Sequence, residues 1–204
     1  TWPNLVTAEA VRGFEFTTFE QKDQDAVAAH AAMLPFTRNL FDPMDFTPMV
    51  FGDIPNIKRA TRNGFELAES VLFVSGIQHF AEVPQGMASA PDYVKDFLRT
   101  LPARWDDSRF VAGEPGRYAV IARQAGGKWY VAGFNGAAQD RTVTLDLAFI
   151  GNPGNPGTTG NPGKSGKLIT DGTGERTFSR ADIAASKKTS VKLKARGGFV
   201  AVFE

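Results

Sequence analysis

The sequence predicts an α/β plus all-β chain: an α/β stretch over residues 1–103, then an antiparallel β-sandwich over 104–204. Three observations carry this. Apolar residues recur at helical spacing up to about residue 103, and short runs of alternating character replace them afterwards. An Ala125-Gly126-Gly127 turn signal divides two of those later runs. The chain is 42% hydrophobic and 22% charged with a net charge of +1, a globular composition that implies no polyanion partner.

In the first stretch, Asn63-Gly64 starts a helix over about 63–75. Phe65, Ala68, Val71, Leu72 and Ser75 fall on one face, with Glu66 and Glu69 on the other. A short buried strand is expected near 76–80. A second helix over 92–98 is opened by Pro91 at a first-turn position and ends before Pro102.

The later runs read as strands at 118–123, 129–134, 142–147, 191–193 and 198–203, part of a sandwich of about seven strands in roughly 100 residues. Its charged residues are expected to alternate outward and to converge on no chemistry. Trp105 is expected at the seam between the two parts and Trp129 in the sandwich core. A Gly/Pro-rich loop over 151–166, with Asn152-Pro153-Gly154-Asn155-Pro156-Gly157 and Asn161-Pro162-Gly163, offers turns and nothing apolar to bury. Glycine does not recur at every third position throughout, which excludes a collagen-like helix.

The densest chemistry lies in the first fifty residues. Glu9 and Glu15 flank Arg12-Gly13, with Trp2, Phe14, Phe16 and Phe19 nearby. Aromatic faces cover the apolar face of a sugar, and a carboxylic acid in low dielectric keeps a proton for a leaving oxygen. Carboxylates equally suit calcium, which takes oxygen ligands. A third reading makes them structural carboxylates paired to Arg12 or Arg38, and those arginines would more often hold carboxylates than sugar hydroxyls. Asp42 and Asp45 belong to a Pro-rich loop expected over the pocket, Asp42 as a loop-shaping residue. His30 and His79 have apolar neighbours and are expected to be hydrogen-bonded structural residues.

Four segments in order, Trp2-Pro3-Asn4-Leu5, Glu9-Ala10-Val11-Arg12-Gly13-Phe14-Glu15, Leu34-Pro35-Phe36-Thr37-Arg38-Asn39 and Asp42-Pro43-Met44-Asp45-Phe46-Thr47-Pro48, closely resemble the C-terminal part of the catalytic barrel of glycoside hydrolase family 97. The likeness continues through Ser75-Gly76-Ile77-Gln78-His79-Phe80-Ala81, Val94-Lys95-Asp96-Phe97-Leu98 and Trp105-Asp106-Asp107 into the β domain that follows the barrel in that family. The resemblance implies an incomplete (β/α)8 TIM-barrel segment followed by the sandwich, since a whole barrel takes about 250 residues. It implies an exo-acting, calcium-dependent α-glucosidase or α-galactosidase acting on oligosaccharides or other α-glycosides. Glu15 is then the general acid, with Glu9 and Glu15 both ligating Ca2+.

On the same resemblance the base or nucleophile lies upstream of Thr1, and the upstream part of the parent chain is itself a partner. The parent is expected to be periplasmic or secreted, although no targeting signal is present here, and the sandwich is expected to serve docking or homo-oligomer contact. The alternative is a non-catalytic sugar-binding or oligomerisation module. With zero cysteines and two separated histidines, disulfides, thiol chemistry and the usual zinc spacings are excluded. No apolar run reaches the ~18 residues of a membrane-spanning helix.

Overall fold

The computed structural model describes residues 7–9, 11–151 and 164–204. Trp2 and the Asn-Pro-Gly triplets at 152–157 and 161–163 lie outside the described residues. The first stretch holds α1 (Phe14–Thr17), α2 (Gln21–Met33), a 3₁₀ turn (Leu34–Phe36), α3 (Arg38–Phe41), α4 (Asn63–Leu72), α5 (Pro84–Ser89) and α6 (Asp92–Arg99). The second holds β1 (Asp107–Glu114), β2 (Tyr118–Ala125), β3 (Lys128–Asn135), β4 (Arg141–Leu145), α7 (Ala148–Gly151), β5 (Ser165–Asp171), β6 (Phe178–Ala184), β7 (Thr189–Leu193) and β8 (Gly198–Phe203).

The strands form a six-stranded sheet in the order β1-β2-β3-β8-β5-β6 and a two-stranded sheet of β4 and β7, antiparallel throughout. Gly126 and Gly127 close the β2–β3 hairpin at φ +55 and +78, the positive values that a two-residue turn with the right twist requires. The larger sheet has apolar cover on both sides, so its central strands are apolar on both faces. Along β3, Trp129 and Val131 face one core with Val143, Leu145, Val191 and Leu193 of the small sheet. Tyr130, Ala132 and Phe134 face a second core with Phe65, Ala68 and Leu72 of α4. The molecule is therefore three layers deep, helices over six strands over two.

Helix α4 is the element that joins the parts. Phe65 stacks on Phe134 at 4.5 Å, and Phe73 meets both Phe134 (5.9 Å) and Phe46 (4.9 Å) edge-on. Both of its ends are held by charged residues of the sheet. At the N-terminus, which lacks a side-chain cap of its own, buried Asp171 accepts the Gly64 N–H at 2.7 Å and the Gly198 N–H at 2.8 Å. At the C-terminus, Arg123 donates to the Val71 carbonyl at 2.6 Å and the Leu72 carbonyl at 2.7 Å. An anion at the N-terminus and a cation at the C-terminus are the favourable placements on a helix dipole. Gly64 is needed for the approach, since a Cβ there would stand 2.3 Å from the Gly198 carbonyl oxygen.

Several expectations are corrected. The helix begins at Asn63 but ends at Leu72, because Phe73 turns into extended backbone to reach the Phe46–Phe134 contact. Residues 76–80 form no strand and are mostly exposed, their backbone bending after Ser75. The later helix spans Asp92–Arg99 with Pro91 at the capping position rather than in the first turn. The sandwich charges do not all point outward: Arg123 and Asp171 turn into the layer beneath α4.

Nor do Glu66 and Glu69 face water. Every residue of α4 is buried, these two at 1% and 2% exposure. Glu66 accepts the Val50 N–H at 3.1 Å and the Thr61 hydroxyl, while one oxygen of Glu69 has no partner among the described residues. Arg59, also buried, donates to the Val50 and Phe51 carbonyls and to Asn63. Burial raises the pKa of both carboxyl groups, Glu69 most strongly because Glu66 adds a like charge, while Arg59 pulls the other way.

Two predictions follow from α4. Replacing Asp171 with Ala leaves two buried amides unpaired at about 1–3 kcal/mol each, so the urea midpoint should fall clearly. Replacing exposed Asp96 should leave it unchanged, and equal effects would deny the clamp its role. The second concerns pH. The folded chain keeps protons on Glu66 and Glu69 that the unfolded chain releases above the ordinary value of 4.5, so their contribution is full below 4.5 and is lost as pH rises through the raised values. Glu69→Gln, uncharged at every pH, should therefore raise the thermal midpoint at pH 8 more than at pH 5; parallel midpoint-versus-pH curves would show that Glu69 is already ionised in the fold.

Candidate functional site

The Glu9–Glu15 segment is shaped from its backbone. Ala8 bridges Met44 in parallel, the Asp45 N–H donates to the Ala8 carbonyl at 2.8 Å, and the Phe14 N–H donates to the Thr47 carbonyl at 3.0 Å. Two stretches of chain thus run side by side in the same direction, with Met44 and Phe46 buried beneath them. Arg38 fastens the pair by donating to the carbonyls of Ala8 (2.8 Å), Glu9 (3.2 Å), Asp42 (3.3 Å) and Pro43 (3.2 Å). One rigid guanidinium spanning four carbonyls fixes the backbone at Glu9.

Glu9 and Glu15 face one cavity of about 440 Å³, lined also by Val11, Arg12, Phe16 and His30. The Glu15 carboxylate curls back over Gly13, where a Cβ would stand 2.8 Å from its Oε2. Glu15 also borders a smaller, apolar cavity of about 340 Å³ with Phe14, Thr47, Val50, Ile54 and Val83. Both glutamates are exposed in the described chain. The wall opposite them is a relay of contacts. Half-buried His30 accepts the Arg12 N–H at its Nε2 (3.1 Å), and burial first, then the Arg12 charge, lowers its pKa, so the ring stays neutral. The Arg12 side chain pairs with Asp23 at 2.9 Å and lies 5.0 Å over the Phe16 ring.

The sequence expectations fare unevenly here. Arg12 and Arg38 hold Asp23 and main-chain carbonyls, not the candidate carboxylates, because each guanidinium is already committed to a nearer acceptor. The run from Asp42 to Pro48 lies beside the segment carrying Glu9 and supplies no residue to the lining of the cavity shared by the two glutamates, and the Asp42 carbonyl, with donors from Arg38 and Asn39, is what shapes it. Asp45 stands 3.8 Å from His79, which bonds the Thr47 hydroxyl at 3.0 Å. Phe14 is buried and Phe19 is 79% exposed, so among the described residues Phe16 is the phenylalanine that shares the cavity with both glutamates. Trp105 meets Tyr130 at 5.3 Å over the seam, and Trp129 is buried in the sandwich core. Sequence reasoning left His30 out of the site; its place in the cavity wall follows from α2, which carried no strong apolar periodicity.

Two carboxylates with oxygen donors on one cavity have the chemistry calcium selects, but they fall short of its usual 6–8 ligands. Among the described residues no group of three or more His, Asp or Glu side chains comes together as a metal cage. No helix among them is long and apolar enough to cross a membrane.

Residues 104–204 match the family described as "Glycosyl-hydrolase 97 C-terminal, oligomerisation". The chain is 37% identical over 203 residues to a probable retaining alpha-galactosidase of Streptomyces bingchenggensis, covering 99% of this chain and 29% of that protein. Its fold is similar to the crystal structure of a beta-arabinopyranosidase, with a TM-score of 0.83 and 29% identity over 97% of this chain and 31% of that one. A family 97 glycoside hydrolase of Pseudoalteromonas sp. strain K8, in complex with acarbose, superposes with a TM-score of 0.80 and 28% identity over 100% of this chain and 32% of its own. The chain thus spans less than a third of the length of each. The similarity extends through the segment carrying Glu9 and Glu15 as well as the sandwich, and the chain belongs to glycoside hydrolase family 97, with its C-terminal domain at residues 104–204.

Proposed function

We propose that this chain is the C-terminal part of a calcium-assisted, exo-acting retaining α-glycosidase of the α-galactosidase type. Residues 7–103 contribute the end of a (β/α)8 barrel, and residues 104–204 brace that end and join copies of the enzyme. The observation that carries the reading is the single cavity shared by Glu9, Glu15, Arg12 and Phe16. The parallel pairing of residues 8 and 44, continued by the Phe14–Thr47 bond, is the local geometry that neighbouring barrel strands need.

In this reading Glu15 gives its proton to the glycosidic oxygen as the bond to the sugar breaks, and Glu9 with Glu15 holds the calcium ion. The ion, when bound, supplies a fixed positive charge that orients and polarises the sugar. Phe16 offers a face to the sugar ring, while Arg12, fixed by Asp23 and by His30 at its backbone, shapes the wall. Two carboxylates open to solvent do not make an enclosed active site, so in this reading the stretch of chain does not act alone.

The names of two relatives support a galactose-configured substrate. An α-D-galactopyranoside and a β-L-arabinopyranoside have the same arrangement of ring hydroxyls and differ in the hydroxymethyl group. The acarbose complex keeps α-glucosides as the comparison. A second reading, a module for oligomerisation without catalysis, is favoured by the family description of residues 104–204.

In the complete enzyme, Glu15→Gln should slow hydrolysis of an alkyl α-galactoside by at least ~10²-fold, a typical general-acid contribution, and spare an activated aryl α-galactoside that needs no proton. Equal losses on both substrates would remove Glu15 from the acid role. Calorimetry on the 204-residue chain should find calcium binding weak, because two carboxylates leave most of the ion's coordination unfilled. Submicromolar affinity would mean that the described cavity completes the site unaided.

A further inference from the structure

The six-stranded sheet has two edges, and they differ. At β1 a register shift between Phe110 and Ala112 breaks the edge, Phe110 packs edge-on against Phe36 at 5.8 Å, and Arg109 folds over Trp129 and Phe149. Bulges and covering side chains are how sheets protect an edge from pairing. At β6 the pairing with β5 runs from Ser165↔Ala184 to Asp171↔Phe178 without a shift. Ser179, Arg180, Ala181, Asp182 and Ala184 are exposed, and the strand contains no Pro, Gly or Lys. Among the described residues no strand pairs with its outer side.

The sequence of this edge is self-complementary. When two antiparallel strands related by a two-fold axis extend one sheet, opposed residues share a face, so the axis must pass through a residue. Centring on Arg180 sets Arg180 against its own copy, and centring on Asp182 does the same with two carboxylates. Centring on Ala181 instead sets Arg180 against Asp182 twice, Ser179 against Ile183 twice, and the small Ala181 against itself. Opposite charges on directly opposed residues stabilise a strand pair and like charges destabilise it. Both charges are already positioned in the single chain: Asp182 is bonded to Lys167 at 2.5 Å, and Arg180 lies 5.8 Å over the Tyr93 ring of α6.

We propose that a second copy of this chain docks on β6, pairing antiparallel about Ala181, so that two six-stranded sheets become one continuous sheet. This rests on the oligomerisation role proposed above for residues 104–204 and names the surface that performs it. A seven-residue edge is small beside the roughly 1,200 Å² of a standard stable interface, so the association is concentration-dependent.

The absence of cysteine makes the test direct. Opposed Cα atoms in an antiparallel pair lie about 4.5–5.5 Å apart, within disulfide range, whereas Ser179 and its own copy are four residues out of register. Under mild oxidation Ala181→Cys should cross-link into a covalent dimer and Ser179→Cys should not. In sedimentation velocity over a concentration series, Arg180→Asp and Asp182→Arg should each weaken the dimer about tenfold or more, and the double exchange should restore it. A dimer that forms normally in both single variants, or that cross-links at 179 and not at 181, overturns this surface and leaves the oligomerisation role standing. A wild-type chain that stays monomeric at every concentration overturns both.

Discussion

The structure depends on one arrangement: a helix buried on every side whose two ends are held by charges from the sheet beneath it. Burying α4 removes its terminal amides and carbonyls from water, and those groups need partners. Asp171 and Arg123 supply them at opposite ends, on β5 and on β2, with β8 and β3 running between. Asp171 is held in a place where burial raises its pKa, against the two amides that favour its charge. A buried carboxylate with two good donors is tolerable, and one without them would not be. The clamp therefore specifies where α4 lies and in which direction it runs, which apolar contact alone does not.

From that placement the rest of the helical layer is built outward. The end of α4 delivers Phe73 to Phe46, and Phe46 lies on the stretch whose Thr47 carbonyl receives the Phe14 amide one residue before Glu15. A chain of packed rings and main-chain bonds thus connects the sheet to the candidate cavity without any side chain of the cavity being used as a support. The division of labour among carboxylates follows. Glu66 and Glu69, enclosed by the two layers, have pKa values raised by burial but reach no solvent, whereas Glu9 and Glu15 stand open on the cavity. A perturbed pKa marks a functional group only where a substrate can reach it.

Much of this was legible in the sequence, and the limits have physical causes. Strands β2, β3, β4 and β8 were readable because they carry the apolar residues of two cores, and Gly126-Gly127 fixed one hairpin. Strands β1, β5 and β6 were not, because exposed charged residues such as Arg109, Lys167 and Arg180 interrupt the apolar alternation. Helix α2 escaped notice because it packs through Val27, Ala28, Ala31 and Ala32, and alanine gives little contrast with the polar face. Helix α4 was found but misread, since Glu66 and Glu69 at three-residue spacing look like a solvated face in any single sequence. The pairing of Glu9 with Glu15 was legible as a motif; that Arg38 serves the backbone and Arg12 serves Asp23 was not, because local spacing does not say which acceptor lies nearer.

The two ends of the sheet make a last point about where such a domain can interact. The side of β1 is occupied from within, by Phe36 of the helical layer and by Arg109 over the aromatic rings of the second core. That cover ties β1 to the cavity side, because Phe36 belongs to the turn following α2, the helix that carries His30. The opposite margin, β6, reaches α6 through Tyr93 and α5's neighbourhood through Phe178 and Phe51, and among the described residues no strand pairs with its outer side. A sheet anchored at one margin and open at the other can extend by strand pairing without disturbing the Glu9–Glu15 cavity, so assembly and the chemistry proposed for that cavity are mechanically separable in this fold.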